Sequence, residues 1–260
     1  MIPRRHLAAW ALTHPWPSPA QIEQDLLLTR AICEIANHPL LGEELMFRGG
    51  TAMHKLHLPE PLRYSEDLDY VRRTAGAIGP VLTALRALGD GLGFQTASRV
   101  GAHPKVLWRT SSDDGVPMRI KIEINTQERS PALPLICLPL APDTTWWSGS
   151  AQVLTFQAAE MVATKIRALF QRSKGRDLFD LWLALTQMNL APDAILAAFG
   201  PYHPEGMTAR VAITNLERKV ADHQFRTDLD LLLTRPPGDY NIDQAAIVVS
   251  DSLLSRLDVP

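Results

Sequence analysis

Residues 48–71 read RGGTAMHKLHLPEPLRYSEDLDYV, and they restrict what this chain can fold into more than any other stretch. Gly49 and Gly50 follow a short apolar run and precede a helical one, so they mark a strand-to-helix turn. Asp67 and Asp69 then stand two apart, with Leu68 and Tyr70 alternating with them. In a strand, residues i and i+2 share a face, so both acids project to one side and both apolar residues to the other. A turn able to hold phosphate thus precedes a strand able to hold a divalent cation. The pair describes a site for a nucleoside triphosphate and magnesium.

Adjacent carboxylates repel each other unless a cation joins them. Their hard oxygens suit Mg²⁺, which keeps several waters and takes substrate phosphate oxygens as further ligands. Glycines let a backbone come close to a ligand, and the N–H groups of the following helix point at an anion. Thr51 would add a hydroxyl donor. The plainer readings are an acidic loop tip and an ordinary turn. A Walker loop is disfavoured, because the Gly-Lys-Ser/Thr ending is missing.

The 260 residues are enough for one large domain or two modest ones, and 46% hydrophobic content permits a packed core. A formal charge of −2 excludes polyanion binding by bulk charge and leaves room for a local basic face. Cys33 and Cys137 lie far apart in apolar runs without a redox or metal motif, which fits a reduced, cytoplasmic setting. The apolar run 7–12 is too short for a membrane span and lacks a cleavage pattern, so it reads as a soluble N-terminal segment.

Periodicity predicts helices over residues 18–37, 51–56 and 78–92, and strands over 44–47, 67–71, 94–100, 105–110 and 117–125. The turn 111–115, Ser-Ser-Asp-Asp-Gly, has hairpin chemistry. Residues 133–140 and 153–156 are apolar and can extend the sheet. From residue 157 the pattern turns helical, over 157–172, 177–188, 192–199, 208–221, 225–233 and 242–257. The expected class is α+β: a mixed β-sheet with flanking helices over 1–150, then a C-terminal helical bundle over 151–260 that closes the active-site cleft.

Two further groups carry chemistry. In residues 118–125, MRIKIEIN, the polar face holds Arg119, Lys121, Glu123 and Asn125. Glu123 can complete a carboxylate trio with Asp67 and Asp69, or can pair with Lys121 or Arg119. Lys165, Arg167, Arg172, Lys174 and Arg176 are five cations with no acid between them. They read as a phosphate or RNA contact, or as a solvated helix end. Asp177 can cap the next helix, and Arg176 can pair with Asp180 at i,i+4. His54 and His57, three apart, lack a further ligand nearby and are read as surface residues.

In order and approximate spacing, Gly49-Gly50-Thr51, then Arg63-x-Ser65-x-Asp67-Leu68-Asp69, a strand Glu123, Lys165, and Arg176-Asp177-x-x-Asp180 resemble the AbiEii/AbiGii nucleotidyltransferase toxins, a branch of the DNA polymerase β-like superfamily. The resemblance spans about half the chain, and the last helices carry no matching motif. It implies a nucleotidyltransferase-type sheet and an Mg²⁺-dependent enzyme of a toxin–antitoxin or phage-defence system. A nucleotide would pass from an NTP to an acceptor hydroxyl, the tRNA 3′ end for some members. Asp67 and Asp69, with Glu123, would hold a two-metal site. Gly49, Gly50, Thr51, Arg63 and Ser65 would shape the triphosphate site. Lys165 would neutralise phosphates, and Asp177 or Asp180 would position substrate or Lys165. A cognate antitoxin is implied by the resemblance alone. The rival readings are transfer to a small molecule or protein, and a regulatory nucleotide-binding module without turnover.

Overall fold

The structure is a computed structural model and describes residues 2–58, 60, 62–112, 115–233 and 237–257. The chain divides into two compact units, one of Met1–Ser130 with Leu135–Phe156, the other of Pro131–Pro134 with Gln157–Pro260.

The first unit is built on a seven-stranded mixed sheet in the order β3-β4-β5-β2-β1-β7-β6. The strands are β1 (Leu45–Arg48), β2 (Asp67–Arg72), β3 (Gln95–Arg99), β4 (Lys105–Ser111), β5 (Pro117–Asn125), β6 (Ile136–Leu140) and β7 (Ala151–Thr155). Strand β2 runs parallel to β5, β1 runs parallel to β7, and the other neighbours are antiparallel. Strand β7 begins after residue 150 but pairs with β1 and β6, so it stays with the sheet.

One face is apolar because β-branched and aromatic residues alternate with polar ones. Leu68, Tyr70, Val106, Trp108, Ile120, Ile122 and Ile124 are all buried. Helix α2 (Pro19–Asn37) packs on β5 and β7, and α5 (Gly79–Gly91) packs on β3 and β4. Helix α2 starts with a reciprocal capping box between Ser18 and Gln21, with proline at its first turn. The proline lead-in 15–19 and the helical run after it predict this start correctly.

Two helices were not legible as such. The apolar run 7–12 belongs to α1 (Arg4–Ala11), which buries Trp10 against Ile2 and Leu26. Helix α3 (Pro39–Glu44) starts at once after α2, and His38 caps it, its Nδ1 accepting from the N–H groups of Leu40 and Leu41. Six residues are too few to display a period. The hairpin 111–115 is bracketed by Ser112 and Gly115, while Asp113 and Asp114 lie outside the described residues. Among the described residues no helix is long and apolar enough to cross a membrane.

Trp10 also anchors a buried polar group. Its indole N–H donates to Asp25 at 3.0 Å, and Lys55 Nζ lies 2.8 Å from the other Asp25 oxygen. His14 stacks on Trp10 at 3.7 Å between ring centroids. Burial, aided by the Lys55 charge and opposed by Asp25, lowers the His14 pKa to about 4. The unfolded imidazole takes a proton near pH 6.5 while the folded one does not, so stability falls as pH drops from 6.5 to about 4. Denaturant unfolding at both ends of that window is expected to show a smaller acid loss in His14→Gln than in the parent. Equal losses would discount His14.

The second unit holds α6 (Ala158–Gln171), α7 (Gly175–Thr186), α8 (Pro192–Ala197), α9 (Ala209–Val220), α10 (His223–Arg226) and α11 (Ile242–Ser252). Glu160, fully buried on α6, accepts from the N–H groups of Ala132 and Leu133 and from the Tyr202 hydroxyl. This explains why 131–134 joins the helices. The predicted helix 225–233 is corrected to the four-residue α10, capped by Asp222. Asp228 is drawn instead to the start of α7, where it accepts from the Arg176 N–H and faces Lys174 and Arg176. The predicted helix 242–257 ends at Ser252, with a 3₁₀ turn, Leu254–Arg256, beyond it.

Candidate active site

Strand β1 ends at Arg48, and helix α4 (Gly49–Ala52) starts at once without a side-chain cap, passing into a π-helical turn, Met53–His57. Gly49 has φ +86°, a conformation that disfavours a side chain. A Cβ there would stand 2.6 Å from Asp69 Oδ2, and one on Gly50 would stand 2.4 Å from Arg63 Nη2. The two glycines therefore make room for an acid and an arginine of the site itself. Arg63 is buried and donates to the Tyr64 carbonyl at 3.1 Å. Gly49→Ala is expected to lower the melting temperature more than Gly50→Ala. The first forces a left-handed backbone at roughly 1–2 kcal/mol and displaces a carboxylate, while the second meets the end of a long side chain. The reverse order would contradict this reading of the turn.

Thr51 is buried, and its hydroxyl lies 2.8 Å from Ser65 Oγ and 2.6 Å from the Asp67 carbonyl. As folded, this hydroxyl ties the turn to the strand that carries the acids.

Asp67 and Asp69 project to the same face of β2, while Leu68 and Tyr70 are buried on the other. Register extends that face across the sheet. One row runs Arg99, Lys105, Glu123, Asp69, Arg48, from β3 to β1. The next runs Ala97, Leu107, Lys121, Asp67, and a third runs Gln95, Arg109, Arg119. Neighbouring strands lie about 4.8 Å apart, so each row is a line of adjacent side chains.

Lysines in the first two rows are matched to acids. Lys121 Nζ lies 2.7 Å from Asp67 Oδ2 and 3.6 Å from Glu123 Oε2, and Lys105 Nζ lies 3.0 Å from the same Glu123 oxygen. Burial alone would raise the Glu123 pKa, but the hydrogen bond and charge of Lys105, with Lys121, hold it below the usual value. For Lys121, burial is likewise outweighed, and Asp67, Glu123 and Asp69 raise its pKa. Glu123 thus lies beside Asp69, as the trio requires, yet it is held by lysines. Among the described residues no three His, Cys, Asp or Glu side chains are grouped to hold a metal ion. The Asp67/Asp69 pair does fit Mg²⁺ by donor chemistry. It offers two carboxylates on one strand face, and Gly49 leaves the space that Asp69 needs.

In the second unit, Lys165 is 4% exposed, and its Nζ lies 2.8 Å from Asp180 and 3.6 Å from Asp177. Both acids are fully buried. Arg172 grips Asp177 with two hydrogen bonds, at 2.6 and 2.7 Å. Asp177 is therefore not the helix cap, a position that Lys174 takes. The expected Arg176–Asp180 pair is replaced by Arg176–Asp228 and Lys165–Asp180. The cationic run is also not a free surface, because Arg172, Lys174 and Arg176 have acidic partners and Arg167 lies over the Tyr202 ring.

Sequence reading missed Lys105 and the arginine row of β3–β5, since strand order is not written in a single strand. The surface reading of His54 and His57 is corrected. His54 is 2% exposed, and burial lowers the His57 pKa against a backbone hydrogen bond to Phe156. Both sit on the π turn that the sheet covers.

One solved structure agrees with this fold. MenT4, a nucleotidyltransferase toxin from Mycobacterium tuberculosis H37Rv, superposes with TM-score 0.65 at 17% identity, covering 98% of this chain and 88% of its own. An antigenic nucleotidyltransferase-like protein from Paracoccidioides brasiliensis gives TM-score 0.41 at 15% identity, over 80% of this chain and 94% of its own. No curated protein matches at a significant level. The family model described as nucleotidyl transferase AbiEii toxin, type IV TA system, matches residues 30–247. The chain belongs to the AbiEii nucleotidyltransferase toxin family of type IV toxin–antitoxin systems.

Proposed function

We propose that this toxin transfers a nucleoside monophosphate from an NTP to a hydroxyl of RNA, with the tRNA 3′ end as the acceptor. Asp67 and Asp69 on one strand face beside the Gly49 turn are the observation that carries the reading. These two carboxylates would hold Mg²⁺, as one ion or a pair, with Glu123 joining only by leaving Lys105 and Lys121. When bound, Mg²⁺ supplies charge neutralisation at the triphosphate and lowers the pKa of the attacking hydroxyl.

The acceptor oxygen attacks the α-phosphorus. The new P–O bond forms as the α–β bridge breaks, and pyrophosphate leaves with the bridging oxygen. The hydroxyl proton passes to Asp69 or to solvent. Gly49, Gly50, Thr51, Arg63 and Ser65 shape the triphosphate side. Lys165 supplies positive charge to the phosphates, and Asp180, with Asp177, holds its ammonium. A cognate antitoxin is the partner that family membership implies. A cytoplasmic reaction fits an NTP donor and an RNA acceptor, in a toxin–antitoxin or phage-defence setting.

Incubation with each α-labelled NTP and total RNA is expected to label an RNA species. Label entering only a protein or a small molecule would move the acceptor to those classes. Nucleotide binding with no product on any acceptor would favour the regulatory module.

A further inference from the structure

Arg109 on β4 and Arg119 on β5 are exposed and stand directly opposite each other in register. Like charges at such a cross-strand position are destabilising. Arg99, exposed on β3, opposes Lys105 in the same way. Among the described residues none forms an ion pair with Arg99, Arg109 or Arg119. The acids of this face are Asp67, Asp69 and Glu123, and Asp67 and Glu123 are already matched by Lys121 and Lys105. A groove of about 650 Å³ passes Arg109, Arg119 and Gln95 together with Tyr64, and its one acid is Glu66. Positive charge is therefore in surplus next to the carboxylate pair. Steps of two residues along β5, about 6.7 Å each, lead from Arg119 to Lys121, which touches Asp67.

We propose that this open face, with Arg99, Arg109 and Arg119 on its β3–β5 side, seats the phosphate backbone of the RNA acceptor and leads its end to the Asp67/Asp69 site. Unpaired arginines fit phosphate oxygens in two-point contacts. Several cations spread over three strands suit a repeating polyanion better than a single anion. Lys165 and Arg176 of α6 and α7 are engaged by acids and Arg167 lies over the Tyr202 ring, so RNA contact moves from that run to the sheet. This inference rests on the RNA reading above and adds the surface.

The test is RNA binding by fluorescence anisotropy across a salt series, without NTP or metal, for the parent, R109Q/R119Q and R109K/R119K. The parent is expected to bind a labelled single-stranded RNA with a steep salt dependence. R109Q/R119Q should weaken binding at least about tenfold and reduce the slope of log K against log salt by about 1–2. The lysine variant should keep most of the slope. Unchanged binding and slope in R109Q/R119Q would overturn the surface, even if labelled-NTP transfer to RNA is seen. Loss of RNA binding in R109Q/R119Q would support the surface whatever the transfer assay gives. No RNA binding by the parent, or equal arginine-dependent binding of polyglutamate, would overturn RNA as the occupant.

Discussion

Asp69→Asn is expected to abolish nucleotidyl transfer while the protein stays folded. The substitution keeps the side chain's shape and removes one negative charge opposite Glu123 in the sheet. An amide is a far poorer ligand for Mg²⁺ than a carboxylate, so the loss of rate should be at least about 100-fold, the scale of removing one preorganised charge contact. Thermal melting should stay close to the parent, since Asn keeps the side chain's shape in the sheet. Incorporation of α-labelled nucleotide into RNA, read beside the melting curve, checks both halves. Full transfer by Asp69→Asn would remove the metal assignment.

Asp180→Ala is expected to destabilise the second unit by about 3–5 kcal/mol, the usual penalty for leaving a buried charge without its partner. Lys165 is 4% exposed and depends on Asp180 at 2.8 Å, because the nearer claims on Asp177 come from Arg172. Denaturant unfolding of the variant would measure the loss. The double variant Lys165→Met/Asp180→Val should recover part of it, since apolar groups of closer volume replace the ion pair. Transfer by that double variant then separates structure from chemistry. Activity that stays lost in a stable protein assigns Lys165 to the reaction, and near-parent activity would make it a packing residue.

What the sequence made legible follows from what each local pattern encodes. Strand alternation is a local property, so Asp67 and Asp69 on one face and 117–125 as a strand were readable directly. Cap chemistry is equally local and predicts the Ser18 start of α2. The neighbours of Asp67 were not readable, because Lys121 and Lys105 reach the acids only through the order β4-β5-β2. The same holds for Asp228, distant in sequence, which takes Arg176 away from the local i,i+4 partner that spacing favours. By spacing alone the glycines read as space for a ligand. Their contacts are with Asp69 and Arg63, which no spacing rule could reveal. Short α3 and the buried His54 lie where periodicity has too few residues to speak.

The most direct test of the account is a crystal structure of the protein grown with Mn²⁺ and a non-hydrolysable NTP analogue. The expected result is anomalous density for Mn²⁺ coordinated by Asp67 and Asp69, with the triphosphate along Gly49–Thr51 and Lys121 withdrawn from Asp67. Metal and nucleotide bound elsewhere, with Lys121 still seated on Asp67, would contradict it.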